Sequence, residues 1–250
     1  MTEITPGREV PLPTLVPALL SFVAGSVDSY TYLTLFGLFV AQVTSSFVIA
    51  GADLVTHDYS VVGKLLVLAV FLVAATASAA LIAAARHSGL AALPRMLALE
   101  ALLLAIFVAL IIFGPRITSA ADWHGIAAGL IAAAAMGMQS VLVRLLMKDI
   151  PQTNVMTGNM TQLGIKTAEI ILVWRRCARD PANRALAEEF EESRAQLMIV
   201  LAVAAGFLIG VLAGVTAFAT TNVRGALVSV AIVGALALWA AYREKNIPSL

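Results

Sequence analysis

Six stretches of this chain are apolar over about the length a helix needs to cross a bilayer, roughly 20 residues. They are residues 15–35, 61–85, 94–113, 126–147, 195–218 and 223–242. This feature constrains the fold more than any other. Hydrocarbon offers no hydrogen-bond partner, so a spanning segment must satisfy its own backbone, and an isolated run does so as a helix. Composition agrees. Of 250 residues, 60% are hydrophobic and 12% charged, with mean hydropathy +0.93; a soluble domain lies nearer half and a quarter. A disordered chain, a basic nucleic-acid binder and an ordinary soluble enzyme are excluded. Sixteen Lys and Arg against 15 Asp and Glu leave a net charge of +1, which implies no polyelectrolyte partner and no nucleic acid. The expected fold is an all-α polytopic membrane protein in one membrane domain, with the lipid bilayer as its partner.

Two further segments are apolar but carry a polar knot in their first half. Residues 39–55 read FVAQVTSSFVIAGADLV, and residues 153–174 read TNVMTGNMTQLGIKTAEIILVW. Each is either a polar spanning helix, giving up to eight spans, or a broken re-entrant element. Residues 1–14, with Pro6, Pro11 and Pro13, form a polar lead. The first apolar run holds Asp28, Ser29 and Thr31 where a signal peptide would be ending, so it is expected to stay in the mature protein. Pro94 suits a first helical turn, and Gly114-Pro115 a helix end. Residues 175–194 read as an aqueous connector, with Asp180 capping and Pro181 starting a short helix.

Lys and Arg bias sets orientation. With six spans and the N-terminus inside, Arg8, Arg86, Arg95, Arg144, Lys148, Lys166, Arg175, Arg176, Arg179, Arg184, Arg194, Arg243 and Lys245 fall inside. Lys64, Arg116 and Arg224 fall outside. With eight spans the bias weakens, so charge favours six. Both arrangements put the termini and the connector in the cytoplasm.

The chain also divides into two similar halves, residues 15–113 and 121–242. Each has a helix polar in its second part, then a knot, then two plain spans. Ala24-Gly25 with Asp28 matches Ala135-Met136 with Gln139, and Val43-Thr44-Ser45-Ser46 matches Met156-Thr157-Gly158-Asn159. Three spans per half would make the halves inverted, and four would make them parallel. In transporters, broken segments at matching positions of two halves point to the binding site.

The chemistry follows from those positions. A carboxylate within a span costs about 2.5–3.5 kcal/mol on insertion scales. Asp28, sharing a helix face with Ser21, Gly25, Tyr32 and Leu35, reads either as a proton or cation site or as an acid bonded to a neighbouring helix. Gln139 can both donate and accept, and serves as its polar counterpart or as interhelical glue. Thr44, Ser45, Ser46, Thr157, Gly158 and Asn159 are the expected solute contacts, with Gly158 as hinge. Glu100 and Tyr32 are secondary members; Glu100 pairs with Arg144 or Lys166 or joins Asp28 in a proton path. Lys166 and Glu169, three residues apart, can pair with each other. Gly206, Gly210 and Gly214 permit close helix contact, inside the bundle or between copies of the chain. His57, His87 and His124 are far apart in sequence, and Cys177 is a lone cysteine. No metal site, cofactor or enzymatic motif is expected.

On these residues the chain resembles the YoaK-like family of bacterial transmembrane proteins of unknown function. The family pattern AGxxD, glycine turn, FVAxMTGN is met by Ala24-Gly25-Ser26-Val27-Asp28, Gly37 and Phe39-Val40-Ala41-Gln42-Val43-Thr44-Ser45-Ser46, departing at Ser45-Ser46. The second pattern, GxQ and a VTG-type knot, is met by Gly137-Met138-Gln139 and the stretch Val155-Met156-Thr157-Gly158-Asn159-Met160-Thr161. The resemblance spans about residues 15–242 and implies fold and membrane location rather than an activity. The expected function is a small secondary transporter or permease for a small solute, coupled to a proton or cation. The alternative is a non-transporting scaffold or regulator bound to a larger membrane partner.

Overall fold

A computed structural model describes residues 14–56 and 61–246. The polar lead with Arg8 and its prolines, and His57, lie outside the described residues. Within them all regular structure is helical: α1 (Leu15–Thr34), α2 (Val43–Thr56), α3 (Val61–His87), α4 (Ala92–Phe113), α5 (Trp123–Leu146), α6 (Met156–Arg179), α7 (Arg184–Thr221), a 3-10 turn (Asn222–Ala226) and α8 (Leu227–Asn246). Helices α3, α4 and α5 are each long and apolar enough to cross a membrane, and so is the stretch Arg184–Asn246, which holds α7 and α8. The chain is a multi-pass helical membrane protein.

Packing fixes the direction of each helix. Gly206, Gly210 and Gly214 on α7 lie against the backbone of Ala18, Phe22 and Ser26 on α1, in the same order, so α1 and α7 run parallel. Gly63 faces Ile126 and Gly137 faces Phe71, so α3 and α5 also run parallel. Helix α5 opposes α1: Gln139 reaches Leu20, whereas the earlier Gly129 meets Leu35 and Leu38 beyond the end of α1. Helix α8 opposes α1 too, since Gly225 meets Tyr30 and Ser229 bonds Ser26.

These directions decide between six spans and eight. Eight would make α1 and α5 parallel. Their antiparallel run is the one expected of six crossings (α1, α3, α4, α5, α7 and α8), with α5 directed opposite to α1. The halves interlock. The first helix of each packs on the third helix of the other, α1 on α7 and α5 on α3, and α4 packs on α8. The glycine stripe expected either inside the bundle or between copies is filled by α1 of the same chain. A Cβ on Gly210 would stand 2.1 Å from the Phe22 carbonyl oxygen.

Helices α2 and α6 are re-entrant. After α1 the chain turns through Phe36 (φ 54°) and Gly37 (φ 81°). It returns about 9 Å to the level of Asp28, then leaves again as α2, whose 14 residues span about 21 Å at 1.5 Å each. An ion pair between Asp53 and the buried Lys64 joins α2 to the start of α3. After α5 the chain turns at Asp149 (φ 59°), returns to the level of Gln139 and leaves as α6. The left-handed residues, where glycine is favoured, thus lie ahead of the knots. Gly158, expected as the hinge, lies within α6.

Two boundaries differ from expectation. Asn183, not Asp180, caps the helix after the turn, accepting from the N–H groups of Ala185 (3.2 Å) and Leu186 (3.4 Å). That helix is the 38-residue α7, about 57 Å long, so connector and span are one element. The last span starts at Leu227 because a 3-10 turn occupies Asn222–Ala226. Pro94 does sit in the first turn of α4, and Gly114 ends it. Asp122 organises the approach to α5, accepting from the N–H groups of Thr118 (2.6 Å) and Ser119 (3.1 Å). Those bonds hold its carboxyl below the usual carboxylate range.

Two predictions follow from this packing. Gly210→Ala will destabilise the folded protein by about 1–3 kcal/mol through overpacking. Gly234→Ala on α8, where a Cβ meets nothing within 4 Å, will leave stability unchanged or raise it by up to about 1 kcal/mol. Both are read by unfolding titrations in detergent. In a Cys177→Ser background, Phe36→Cys and Lys148→Cys will react with a membrane-impermeant thiol reagent from opposite faces of the bilayer; labelling from one shared face would contradict six crossings.

Candidate functional site

Both re-entrant breaks leave backbone groups without helical partners at a depth where water is absent, so side chains must bind them. Asp28 does this in the first half. Its Oδ1 accepts from the N–H of Val40 (2.8 Å) and Ala41 (2.7 Å), and its Oδ2 from the N–H of Gln42 (3.0 Å). The buried carboxylate therefore clamps the chain just ahead of α2. It also supplies negative charge at the positive end of that helix dipole. Hydrogen bonds to a charged group contribute about 1.5–3 kcal/mol each before the cost of burial.

Gln139 occupies the matching place in the second half. Its Nε2 donates to the Leu20 carbonyl (3.0 Å) and to Thr153 Oγ1 (2.8 Å), while its Oε1 has no hydrogen-bond partner. Ser21 on α1 donates to the carbonyl oxygens of Thr153 (2.9 Å) and Val203 (2.7 Å). Helix α1 therefore holds both breaks, the first through Asp28 and the second through Ser21.

The knots repeat a second bond. Ser46 Oγ donates to the Phe39 carbonyl (2.9 Å), and Asn159 Nδ2 donates to the Gln152 carbonyl (2.7 Å). Both bonds reach back seven residues. In each knot this inward residue ties the return strand to the first turn of its half-helix.

The breaks meet at the centre. Asn154 Nδ2 donates to the Ala41 carbonyl (3.2 Å), and these two residues are 113 positions apart. That is also the interval between Ser46 and Asn159, so the bond joins equivalent points of the two halves. Ser140 Oγ donates to Asn154 Oδ1 (3.1 Å) and steadies the amide. From this junction α2 and α6 leave toward opposite ends of the bundle. Their N-termini face each other, an arrangement that places positive dipole ends near mid-membrane. Val155, the N-cap of α6, provides no side-chain cap.

The expected site residues separate into three groups. Asp28, Gln139, Ser46 and Asn159 are buried around the breaks. Ser45 is half-buried, and Thr44, Thr157 and Gly158 face outward. Tyr32 is also exposed, its ring 5.1 Å from that of Phe39. Glu100 is fully buried on α4, and neither of its oxygens has a partner, so it joins neither Arg144 nor Lys166. Lys166 pairs instead with Glu169 at 2.8 Å. Sequence reasoning missed Asn154 and Thr153, and placed Ser21 on the Asp28 face without its bonds to the second break. The one available signal was Asn154 three residues after Pro151, which reads as an ordinary turn. Small cavities of about 20 and 10 Å³ lie toward the Leu35 and Thr34 end of α1, against the roughly 10–15 Å³ that one water needs. Among the described residues no cluster of His, Cys, Asp and Glu could hold a metal.

The chain belongs to a family of proteins of unknown function, DUF1275, whose model matches residues 16–240. No curated protein and no solved structure matches it.

Asp28→Asn will replace an oxygen with a donor facing an N–H, costing about 1–3 kcal/mol, and Asp28→Ala will cost more. Hydrogen exchange will report both, with the amides of Val40, Ala41 and Gln42 losing protection ahead of the helices.

Proposed function

We propose that this protein is a small secondary transporter or permease for a small polar solute, coupled to a proton or cation. The observation that carries this reading is the junction of two re-entrant breaks, entering from opposite ends of inverted, interlocked halves and joined by Asn154 and Ala41. Discontinuous helices meeting between inverted repeats are a recurring transporter plan, in which one half rocks against the other around a central site. A single neutral bond of about 1 kcal/mol at the junction is weak enough to open and close. Thr157, Thr161 and Gln162 leave a polar exposed face on α6 beside the junction, suited to a route by which solute reaches it. Asp28 serves here as the clamp of one break.

The membrane is the bacterial cytoplasmic membrane, with both termini in the cytoplasm. Supporting this, Arg86, Arg95, Arg144, Lys148 and Arg243 belong to helix ends on the side where α1 begins. Lys64, Arg116 and Arg224 belong to the other side, and Lys/Arg-rich ends face inward. The second reading, a scaffold or regulator for a larger membrane partner, draws on the same exposed face of α6, where Gly158 and Gly164 leave room for another helix.

Uptake into proteoliposomes, with a panel of labelled small polar solutes at mildly acid and mildly alkaline pH, tests the proposal. The protein will raise the flux of at least one solute above that of protein-free liposomes. Asn154→Ala will change that flux by about fivefold, as loss of one such bond implies. Folded protein that moves no solute, with cross-linking that returns one constant larger partner, would favour the scaffold instead.

A further inference from the structure

Among the described residues two carboxylates, Asp28 and Glu100, are buried, and their surroundings are opposite. Asp28 receives three backbone N–H groups. Glu100 is 0% exposed, and both its oxygens lack any hydrogen-bond partner. It is the ninth residue of α4, about 12 Å along the helix.

The elements packed against α4 are α3, α5, α8 and the 3-10 turn. Their charged and titratable groups lie at element ends or outside the bundle core. On α5 these are His124, whose Nε2 contacts the Leu110 carbonyl, and the exposed Arg144. On α8 they are Tyr242, Arg243, Glu244 and Lys245 in its last turns, with Arg243 over the Trp239 ring. On α3 they are Lys64, paired with Asp53, Arg86, which donates to the Leu145 carbonyl, and His87 in the last turn. Arg224 lies in the 3-10 turn. Among the described residues no ion pair includes Glu100.

An ionised carboxylate with neither counter-charge nor donor is so costly in a low-dielectric interior that the group takes up a proton instead. Position adds to this. Phe107 and Val108 on α4 line one small cavity with Tyr30 and Thr34 of α1. Seven residues earlier, Glu100 therefore lies near the level of Val23. Gln139 bonds the carbonyl of Leu20, within about one helical turn of that level. The unpartnered Gln139 Oε1 and the Glu100 carboxyl thus share a depth on adjoining helices.

We propose that Glu100 is a proton-binding site: its carboxyl is held as the neutral acid while the bundle is closed and releases the proton when the halves separate and water reaches it. This names the proton as the coupling ion of the transporter reading and Glu100, not Asp28, as its carrier. Only the coupling rests on that reading; the protonation does not.

The test is made on the full chain in lipid. Dicyclohexylcarbodiimide, an apolar reagent that attacks protonated carboxyls, will modify Glu100 at neutral pH and leave Asp28 unmodified, as read by peptide mass spectrometry. Adduct formation will fall at least about threefold at strongly alkaline pH. Infrared spectra of protein with ¹³C-labelled glutamate will show an isotope-shifted protonated-carboxyl band that is absent in Glu100→Gln. The infrared measurement on the unsubstituted protein stands even if Glu100→Gln folds poorly. Absence of both adduct and band would overturn the proposal while leaving solute uptake untouched. Adduct and band without any solute flux would keep the proton site and remove the transporter. Solute uptake with the same pH dependence in Glu100→Gln as in the parent would overturn the coupling.

Discussion

The structure depends on backbone hydrogen bonding inside a medium without water. Six helices meet that requirement internally, but the two return strands cannot. Their N–H and C=O groups need side-chain partners, and these include Asp28, Ser21, Ser46, Asn154 and Asn159. Several of the polar side chains buried near the centre are accounted for by this need. A polar residue within a span is therefore not by itself a ligand site here; what matters is whether its hydrogen-bonding capacity is already filled. On that criterion Asp28 is saturated, while Glu100 and Gln139 Oε1 are not.

The second organising fact is interlocking. A glycine stripe lets α7 approach the α1 backbone closely, and Gly137 does the same for α5 against α3. Each half therefore completes its packing on the other half. The centre lies between them, where the two breaks are joined by the Asn154–Ala41 bond and tied across the halves by Ser21 and Gln139.

Much of this was legible in the sequence. The six spans, the correspondence of Thr44 with Thr157, and the match of Asp28 with Gln139 were all visible as pattern. The role of Asp28 was not, because its partners are main-chain N–H groups that carry no sequence signature. Gly37, marked as a glycine turn by the family pattern, does take a left-handed φ, whereas Gly158, expected as the hinge, lies within α6 and the second left-handed turn falls at Asp149. Sequence marks permission for such a turn, and tertiary packing chooses where it occurs. Asp180 looked like a cap beside Pro181, but Asn183 is the residue that reaches the free N–H groups. The stripe from Gly206 to Gly214 announced a close contact without saying with what. Direction resolved the six-or-eight ambiguity, and it emerges only when Gly129 and Gln139 are located against α1.

The pairing of α1 with α7 bears on how the chain is made. Ser21 bonds the carbonyl of a residue 182 positions later, so α1 meets its principal neighbour only after that much more of the chain has been made. Until then α1 carries Ser21 and Asp28 through the translocon without its final packing. Membrane insertion and assembly are thus separate events for this protein, and a nascent chain halted before residue 203 would be inserted yet unable to close its core.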